Sequence, residues 1–327
     1  MASKTAVAVP LQKKYGFARF WSRFKRCWRL HLMVIIPVVY LLIFNYAPML
    51  GLQIAFREFK MFPGGKPWDF VWSSPWVGLA NFVKFFGGND WAMVVGNTVS
   101  ISLYSIAVGF PIPVILALFI HVNQREGLKK LTQNVSYIPH FISTVVMVGI
   151  LNQVLNPTTG MIAAIAKLFD TTVTTDIRAN EGSFYHLYVW SGVWQNMGWS
   201  AILYVSALSA VSEELHEAAK IDGASRFRRV LSVDLPAIMP TIAIQFILRT
   251  STIMTVGYEK ALLLQNQFNI NKSEMISTYV YKYGMDGFAN YGYGTAINMM
   301  NSVINTGMLL LVNWVTNALT DNEMGLF

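Results

Sequence analysis

Charge and cysteine are both scarce in this sequence. Only 13% of its 327 residues are charged and 54% are hydrophobic, whereas an ordinary soluble domain has roughly 25% charged residues. The single cysteine, Cys27, excludes an internal disulfide and a cysteine-built metal site. This composition is typical of a membrane protein, and the aromatic content of 14% suits rings placed at two membrane–water interfaces.

Several motifs that carry chemistry are also missing. The sequence has no G-x-x-x-x-G-K-[ST] loop, so it lacks the usual cradle for the phosphates of ATP. It has no H-E-x-x-H helix, no G-x-S-x-G elbow and no clustered Cys/His set. His121 and His140 lie at the ends of apolar runs, where interface or helix-cap roles are expected rather than ligand binding. We therefore expect no catalytic residue, no metal site and no cofactor in this chain.

Six apolar runs are long enough to cross about 30 Å of hydrocarbon as helices. They lie near residues 32–56, 93–121, 132–155, 187–211, 237–258 and 294–318. The first run shows no small-residue cleavage site after a short apolar stretch, so we interpret it as a retained helix and not a signal peptide. The predicted fold is all-α, a polytopic membrane domain of six transmembrane helices over residues 32–318.

The basic residues are distributed unevenly between the two sides of these runs. Segments 1–31, 122–131, 212–236 and 319–327 hold 15 Lys and Arg residues in 75 positions, whereas the opposite loops hold 9 in 102. Because basic loops stay in the cytoplasm, both termini are predicted to be cytoplasmic. The formal charge of +8 concentrates at the ends of apolar runs, which favours anionic lipid headgroups as partners and not nucleic acid.

An amphipathic segment, KKYGFARFWSRFKRCWRL, precedes the first apolar run. Arg19, Arg23 and Arg26 lie away from an aromatic stripe, a pattern that predicts a cytoplasmic interfacial helix within residues 1–31. Such a helix anchors the first span, or it docks a regulatory partner. The aromatic stripe consists of Phe17, Phe20, Trp21, Phe24 and Trp28.

Segment 212–236 leaves the fourth apolar run and returns to the fifth. Ser212 is suited to cap a short helix that Gly223 ends. Ser225 can begin a second short helix, and Leu235-Pro236 is expected to end the excursion. Small alanines on the first helix would let a partner approach its backbone, so this helix is suited to lie in a groove of another protein. Four of its residues share one face: Leu215, Ala218, Ala219 and Asp222.

The same segment resembles the EAA loop of the permease subunits of ABC importers. The resemblance rests on Glu217-Ala218-Ala219, on Gly223 after three more residues, and on Val233-Asp234-Leu235-Pro236 after nine more, with Val233 where isoleucine is usual. It implies a type I ABC importer permease fold in which this loop is a cytoplasmic coupling helix that docks into a separate ATPase subunit. The residues it assigns to ATPase coupling are Glu217, Ala218, Ala219, Asp222 and Gly223.

Other segments resemble the carbohydrate group of these permeases, which handles oligosaccharides and polysaccharide fragments. The segments NYAPMLGLQIAFREFK, SPWVGLANFVKFF, YIPHFIS and TYVYKYG carry this likeness, and the whole pattern resembles the first permease subunits of bacterial alginate importers. The resemblance implies a location in a bacterial inner membrane and a second, homologous permease subunit. It also implies two ATPase subunits that hold ATP and magnesium, and a periplasmic solute-binding protein.

Polar side chains within apolar runs are costly to bury, so they face a cavity or a neighbouring helix. Amides beside aromatic rings suit a sugar, but Asn and Gln also bind between transmembrane helices, and both readings stay open. Arg249 stands out because the runs contain almost no acids, so its guanidinium needs an anionic substrate group such as a uronate, or a buried acceptor. The candidates for the substrate pathway are Gln153, Gln195, Asn196, Trp199, Gln245, Arg249, Asn298 and Asn301.

Two other functional classes are alternatives. A secondary transporter driven by an ion gradient usually has paired inverted repeats and intramembrane acids, and we find neither in the sequence. A membrane enzyme, such as a polysaccharide synthase or an intramembrane hydrolase, needs an acid pair or a nucleophile with its base. Asp69, Asp90, Asp170 and Asp286 all fall in predicted external loops, so the sequence favours a transport subunit over both alternatives.

Overall fold

The computed structural model describes residues 27–59, 67–169, 171, 176–286, 290–320 and 325. These residues are helical or in turns and loops, apart from an isolated β-bridge between Arg57 and Trp76. The chain divides into two compact units, Met1–Gln53 and Ile54–Phe327. Most of the amphipathic helix predicted in residues 1–31 falls outside the described residues, as does most of the predicted tail 319–327.

A helical stretch of 29 residues from Trp28 to Phe56 contains the first predicted span and is long and apolar enough to cross a membrane. Its π-helical turn ends two residues before Pro48. Proline has no N–H to donate, so a wider turn just before it rearranges the hydrogen bonds that a regular helix would lose. The stretch consists of α1 (Trp28–Leu41), the π-turn (Leu42–Tyr46), α2 (Ala47–Met49) and a 3-10 segment (Leu50–Phe56).

The second unit is built around one long helix, α10, which contains 28 residues. This helix packs against α5, α6, α7 and α13. The helices of this unit are α3 (Pro67–Ser73), α4 (Ala80–Phe86), α5 (Trp91–Gly109), α6 (Pro111–Val122), α7 (Glu126–Tyr137), α8 (Thr144–Val154), α9 (Met161–Leu168), α10 (Glu181–Leu208), α11 (Glu213–Ile221), α12 (Arg226–Arg229), α13 (Leu235–Thr250), α14 (Tyr258–Leu264), α15 (Ile270–Ser273), α16 (Ile276–Gly284) and α17 (Tyr291–Leu319), with 3-10 turns at Ile138–Phe141 and Ile177–Ala179 and a π-turn at Val230–Asp234.

Four stretches of the described chain are long and apolar enough to cross a membrane. They correspond to the first, second, fifth and sixth predicted spans. The fourth predicted span lies in α10, which is long enough but does not reach the same hydropathy because of polar residues such as Gln195 and Asn196. The four stretches are Trp28–Phe56, Trp91–Val122, Arg226–Thr250 and Tyr291–Ala318.

The third predicted span, 132–155, is not one continuous helix, because its two helical parts meet at an angle of 101°. The 3-10 turn after α7 contains Pro139 and ends at Phe141, and α8 begins at Thr144. Ser143 caps α8, since its hydroxyl accepts a hydrogen bond from the N–H of Val146 at 3.3 Å. A proline-containing turn followed by a capped helix start therefore accounts for the bend.

The fifth predicted span begins earlier and ends earlier than the sequence indicated. The chain is helical without a break from Arg226 to Thr250, whereas Leu235-Pro236 was expected to end the excursion. The π-turn Val230–Asp234 ends two residues before Pro236, the same arrangement as before Pro48. A wider turn again accommodates the missing N–H, so this proline does not interrupt the helix.

Among the described residues of the second unit, three clusters of buried apolar side chains hold the helices at fixed separations. Two helices approach each other closely at Gly198 of α10, where an added Cβ would lie 2.1 Å from the carbonyl oxygen of Ser136 in α7. A glycine is therefore required at this crossing. Representative cluster members are Phe85, Tyr279 and Ile297; Ile101, Met147 and Phe184; and Ala117, Ala201 and Ile238.

Candidate functional site

A cavity of about 710 Å³ lies beside the middle of α10 and is lined by residues of α5, α6, α8, α10, α13 and α14. Residues four apart in sequence share a helix face, so α10 and α13 together supply most of the predicted polar residues that line the cavity. Five of the predicted pathway residues line it: Gln195, Asn196 and Trp199 from α10, and Gln245 and Arg249 from α13.

The α10 residues of the cavity are held in place by the bent segment between α7 and α8. The Gln195 amide donates to the carbonyl oxygen of Ile142 at 2.7 Å. His140 lies 3.0 Å from the Asn196 side-chain oxygen and stacks on Trp199 at a centroid distance of 4.5 Å. His140, expected at an interface or a helix cap, therefore supports two residues that line the cavity.

Two cations and one acid line the same cavity. No carboxylate among the described residues forms an ion pair with Arg249, while Glu259 and Lys260 lie in the same cavity wall. The Lys260 ammonium donates to the carbonyl oxygen of Tyr188 and lies 4.5 Å from the centroid of the Tyr188 ring. Burial lowers the pKa of Lys260 to about 7. The cavity therefore offers positive charge beside amide and aromatic groups, which suits an anionic, hydroxyl-rich ligand.

Three other pathway candidates do not line this cavity. Gln153 and Asn298 are exposed elsewhere. Asn301 and its neighbour Asn305 contact the segment that follows α13, where the Asn305 oxygen accepts from the N–H of Met254 at 3.0 Å. These two amides in α17 bind backbone groups of the turn after α13, which is a contact between neighbouring segments and not a lining of the cavity.

Segment 212–236 forms the short helix α11 with the caps that the sequence indicates. The Ser212 hydroxyl accepts from the N–H of Glu214 at 3.2 Å. At the other end Gly223 has φ +74°, and the N–H of Ala224 donates to Ala219 at 2.9 Å while that of Gly223 donates to Lys220 at 3.0 Å. This is a Schellman motif, and it ends α11 sharply.

One side of α11 and its neighbour α12 is strongly exposed. Ile221 is 86% exposed, Phe227 is 73% exposed and Leu215 is 54% exposed. The other side of α11 is attached to the rest of the unit, since the ring of His216 lies 3.1 Å from a carboxylate oxygen of Asp234. The arrangement presents apolar side chains on a helix that projects from the bundle, which is suited to contact with another protein.

A protein-family model for the "binding-protein-dependent transport system inner membrane component" matches residues 102–321 of this chain. The matched region contains α10, α13 and the whole segment 212–236. This chain belongs to that family. The permease is thus a membrane transport subunit and not an enzyme.

Curated relatives and solved structures resemble the permease over nearly its whole length. The polygalacturonan/rhamnogalacturonan transport system permease protein YteP of Bacillus subtilis is 33% identical over 312 residues, 95% of each chain. Protein LplB of the same organism is 33% identical over 298 residues, 91% of each chain.

A crystal structure of a bacterial alginate ABC transporter in complex with an alginate pentasaccharide-bound periplasmic protein contains a chain with a TM-score of 0.84 and 30% identity, covering 94% of the permease and all of that chain. A second structure, of a bacterial ABC transporter involved in the import of the acidic polysaccharide alginate, gives a TM-score of 0.83 and 32% identity over 92% of the permease. The fold of the permease is thus similar to that of a chain in each of these two transporter structures.

Sequence reasoning missed two features of the permease. Lys260 was counted among the residues of an external loop, and only the return of α14 against α10 brings it to the cavity. His121, His216 and Asp234 are far apart in sequence, so no spacing pattern could group them. Lys260 could have been identified from the sequence by its position directly after an apolar run that contains another cation, Arg249.

Proposed function

We propose that this permease is one of two membrane subunits of an ATP-driven ABC importer, and that it forms half of the translocation pathway for an acidic oligo- or polysaccharide. The observation that carries the proposal is the cavity beside α10, where Arg249 and Lys260 lie near Asn196 and Trp199. Sugars bind through hydrogen bonds to amides and through stacking of their apolar faces on aromatic rings. Cations in the same wall favour a saccharide that carries carboxylates.

The named relatives support this substrate class. One relative is named for transport of polygalacturonan and rhamnogalacturonan, and the similar solved structures are alginate transporters. One of those structures is described as importing an acidic polysaccharide. Alginate, or another uronate-containing polymer of similar charge, is therefore the substrate we propose for this permease.

The exposed side of α11 supports the proposed energy coupling. Glu217, Ala218, Asp222 and Gly223 are exposed on this helix and Ala219 is half-buried, so a partner can approach most of the positions that the EAA resemblance assigns to coupling. In this proposal α11 is the coupling helix and docks on an ATPase subunit, and two such subunits hold ATP and magnesium.

The proposed assembly lies in a bacterial inner membrane. It contains six spans in each permease, with both termini of this chain in the cytoplasm, and a second homologous permease completes the pathway. A periplasmic binding protein delivers the saccharide to the external side. The four apolar stretches, the bent pair α7–α8 and the long helix α10 are the six segments assigned to this crossing.

The test is uptake by the permease reconstituted in liposomes with its partner permease, the ATPase subunits and a binding protein loaded with a uronate oligosaccharide. Arg249→Gln removes one of the two positive charges of the cavity, and Lys167→Gln, in the exposed part of α9, removes a charge outside the cavity. We expect Arg249→Gln to lower uptake by about tenfold, because hydrogen bonds to charged groups contribute about 1.5–3 kcal/mol. Lys167→Gln is expected to leave uptake unchanged.

Two results would contradict the proposal. Normal uronate uptake by Arg249→Gln would remove the acidic-substrate assignment. Uptake that persists without the ATPase subunits, or that vanadate does not inhibit, would favour a secondary transporter instead.

A further inference from the structure

Three side chains from separate segments converge beneath α11. His121 lies at the end of α6, His216 on α11 and Asp234 at the end of the π-turn that precedes α13. One ligand atom from each lies within 4.8 Å of the other two. Asp234 is only 2% exposed, and the two histidines are half-buried, so the carboxylate is withdrawn from solvent.

Two polar atoms of this cluster lack the hydrogen bonds that buried polar groups normally make. Oδ1 of Asp234 and Nε2 of His216 are buried without a hydrogen bond to the described residues, although the two atoms are only 3.1 Å apart. Their approach therefore does not have the orientation of an N–H pointing at an oxygen. Such atoms are costly to leave unsatisfied, so the arrangement calls for a further group between them.

The two distances from the histidine rings to Asp234 match those between neighbouring ligands around a small metal ion. Nε2 of His216 and Nε2 of His121 lie 3.1 Å and 3.5 Å from the same oxygen of Asp234. Zinc bonds of about 2.0–2.1 Å in a tetrahedral site place neighbouring ligand atoms about 3.3–3.4 Å apart. Two imidazoles and a carboxylate are also a donor set that Zn²⁺ prefers, whereas Mg²⁺ and Ca²⁺ prefer oxygen ligands alone.

We propose that His121, His216 and Asp234 form a binding site for Zn²⁺, with water as the fourth ligand. Because the three ligands come from α6, α11 and the start of α13, the bound ion fastens α11 to two helices of the bundle. If α11 is the coupling helix, as in the proposed function, Zn²⁺ restrains the element through which the ATPase acts. Metal binding itself needs only this chain and can be measured without transport.

The experiment uses the full chain in detergent micelles, in a Cys27→Ser background because the Cys27 thiol is exposed and could bind zinc. Chelator-treated protein is titrated with ZnCl₂ against a fluorescent zinc chelator, and retained zinc is counted by mass spectrometry. We expect one Zn²⁺ per chain, and binding at least about tenfold weaker in His216→Gln and in Asp234→Asn, since even second-shell changes cost about 10–100-fold. His186→Gln, a histidine that contacts Tyr104 away from the cluster, serves as the matched control and should bind like the parent.

A parent chain that retains no stoichiometric zinc would overturn the proposal, and so would equal affinity in the parent, His216→Gln and Asp234→Asn. Gel filtration shows whether each variant is folded, and His121→Gln replaces a variant that is not. The Co²⁺ form of the parent, which does not depend on any variant, should show the strong visible bands of a tetrahedral site.

The proposed restraint of α11 by Zn²⁺ can be measured separately from metal binding. Zn²⁺ should slow amide hydrogen exchange in α11 of the parent chain and leave it unchanged in His216→Gln. Zinc that binds without slowing this exchange would show that the ion does not restrain the helix. Neither result depends on transport, so both are distinguishable from failure of the proposed function.

Discussion

Arg249 and Lys260 bring charge to the cavity in different ways. A guanidinium stays protonated at any physiological pH. An amine can lose its proton when burial disfavours the charged form, and burial lowers the pKa of Lys260 to about 7. The positive charge of the cavity wall therefore depends on pH through one residue, Lys260.

This dependence predicts the response of transport to pH. Below about pH 7 Lys260 carries its proton and attracts a uronate, and above it the charge is lost. Uptake of a uronate oligosaccharide should therefore fall severalfold between about pH 6 and about pH 8.5. In Lys260→Arg the charge persists, so the ratio of variant to native uptake should rise with pH through the same range.

The control for this prediction is Lys167→Arg, which makes the same chemical change in the exposed part of α9. Its uptake should follow the native pH profile, including any contribution of the partner subunits. A native profile that is flat across this range would show that Lys260 does not titrate there.

The sequence predicts that a residue lines the cavity where its type is rare in the surrounding apolar run. Arg249 stands out because a basic residue in an apolar run has few acids to pair with. Lys260 does not stand out, because its burial results from the packing of α14 on α10, which no local pattern encodes. Asn301 illustrates the converse, since the amide of this residue in an apolar run donates to the backbone of the turn after α13 and does not line the cavity.

The end of α11 depends on the left-handed backbone of Gly223, which has φ +74°. Other L residues adopt this conformation at a cost of about 1–2 kcal/mol, and β-branched residues fit it worst. Gly223→Val should therefore fray the end of α11 and reduce ATP hydrolysis stimulated by loaded binding protein severalfold in the reconstituted complex. Asn tolerates this conformation, so Gly223→Asn should keep most of the stimulation.

If Gly223→Val and Gly223→Asn lose the same amount of stimulated ATP hydrolysis, then any side chain at residue 223 is harmful, whatever backbone conformation it tolerates. An Ala224→Val variant in the next residue controls for added bulk.

The close packing of α10 against α7 leads to a second prediction about a helix. In Gly198→Ala the new methyl group would meet the backbone of Ser136 at 2.1 Å, so the two helices must separate. Overpacking of this kind costs about 1–3 kcal/mol, and the melting temperature in detergent should fall by several degrees. Gly307→Ala in α17 places its methyl in open space and should leave the melting temperature unchanged or raise it.

If Gly198→Ala melts like the native protein, the close approach of α7 and α10 is not present in the protein in solution. Cysteine cross-linking between positions 136 and 198 would measure the helix separation directly.

Hydropathy predicted where helices lie better than how they are shaped. The runs at 93–121 and 294–318 agree with Trp91–Val122 and Tyr291–Ala318 to within a few residues. The 101° bend before Thr144 was not predicted, because a proline in a short 3-10 turn can either kink a helix or begin one. Pro236 was read as a stop for the same reason, and the π-turn before it keeps the helix continuous.

At the scale of the whole molecule, the distribution of basic residues predicts that α11 and α9 lie on opposite sides of the membrane. In a Cys27→Ser background, Ile221→Cys lies on the exposed side of α11 and Lys167→Cys in the exposed part of α9. A membrane-impermeant maleimide should label residue 167 in intact spheroplasts and label residue 221 only after lysis. The reverse pattern would invert the proposed topology.

The unbroken helix from Arg226 to Thr250 has a mechanical consequence. Its 25 residues span about 37 Å. One end adjoins Gly223 and α11, and the other end carries Arg249 into the cavity wall. A stiff rod acts as a lever, and a tilt of about 5° about one end displaces the other by about 3 Å. In the proposed coupling mechanism, a force applied at α11 would therefore move the cavity wall through this one helix.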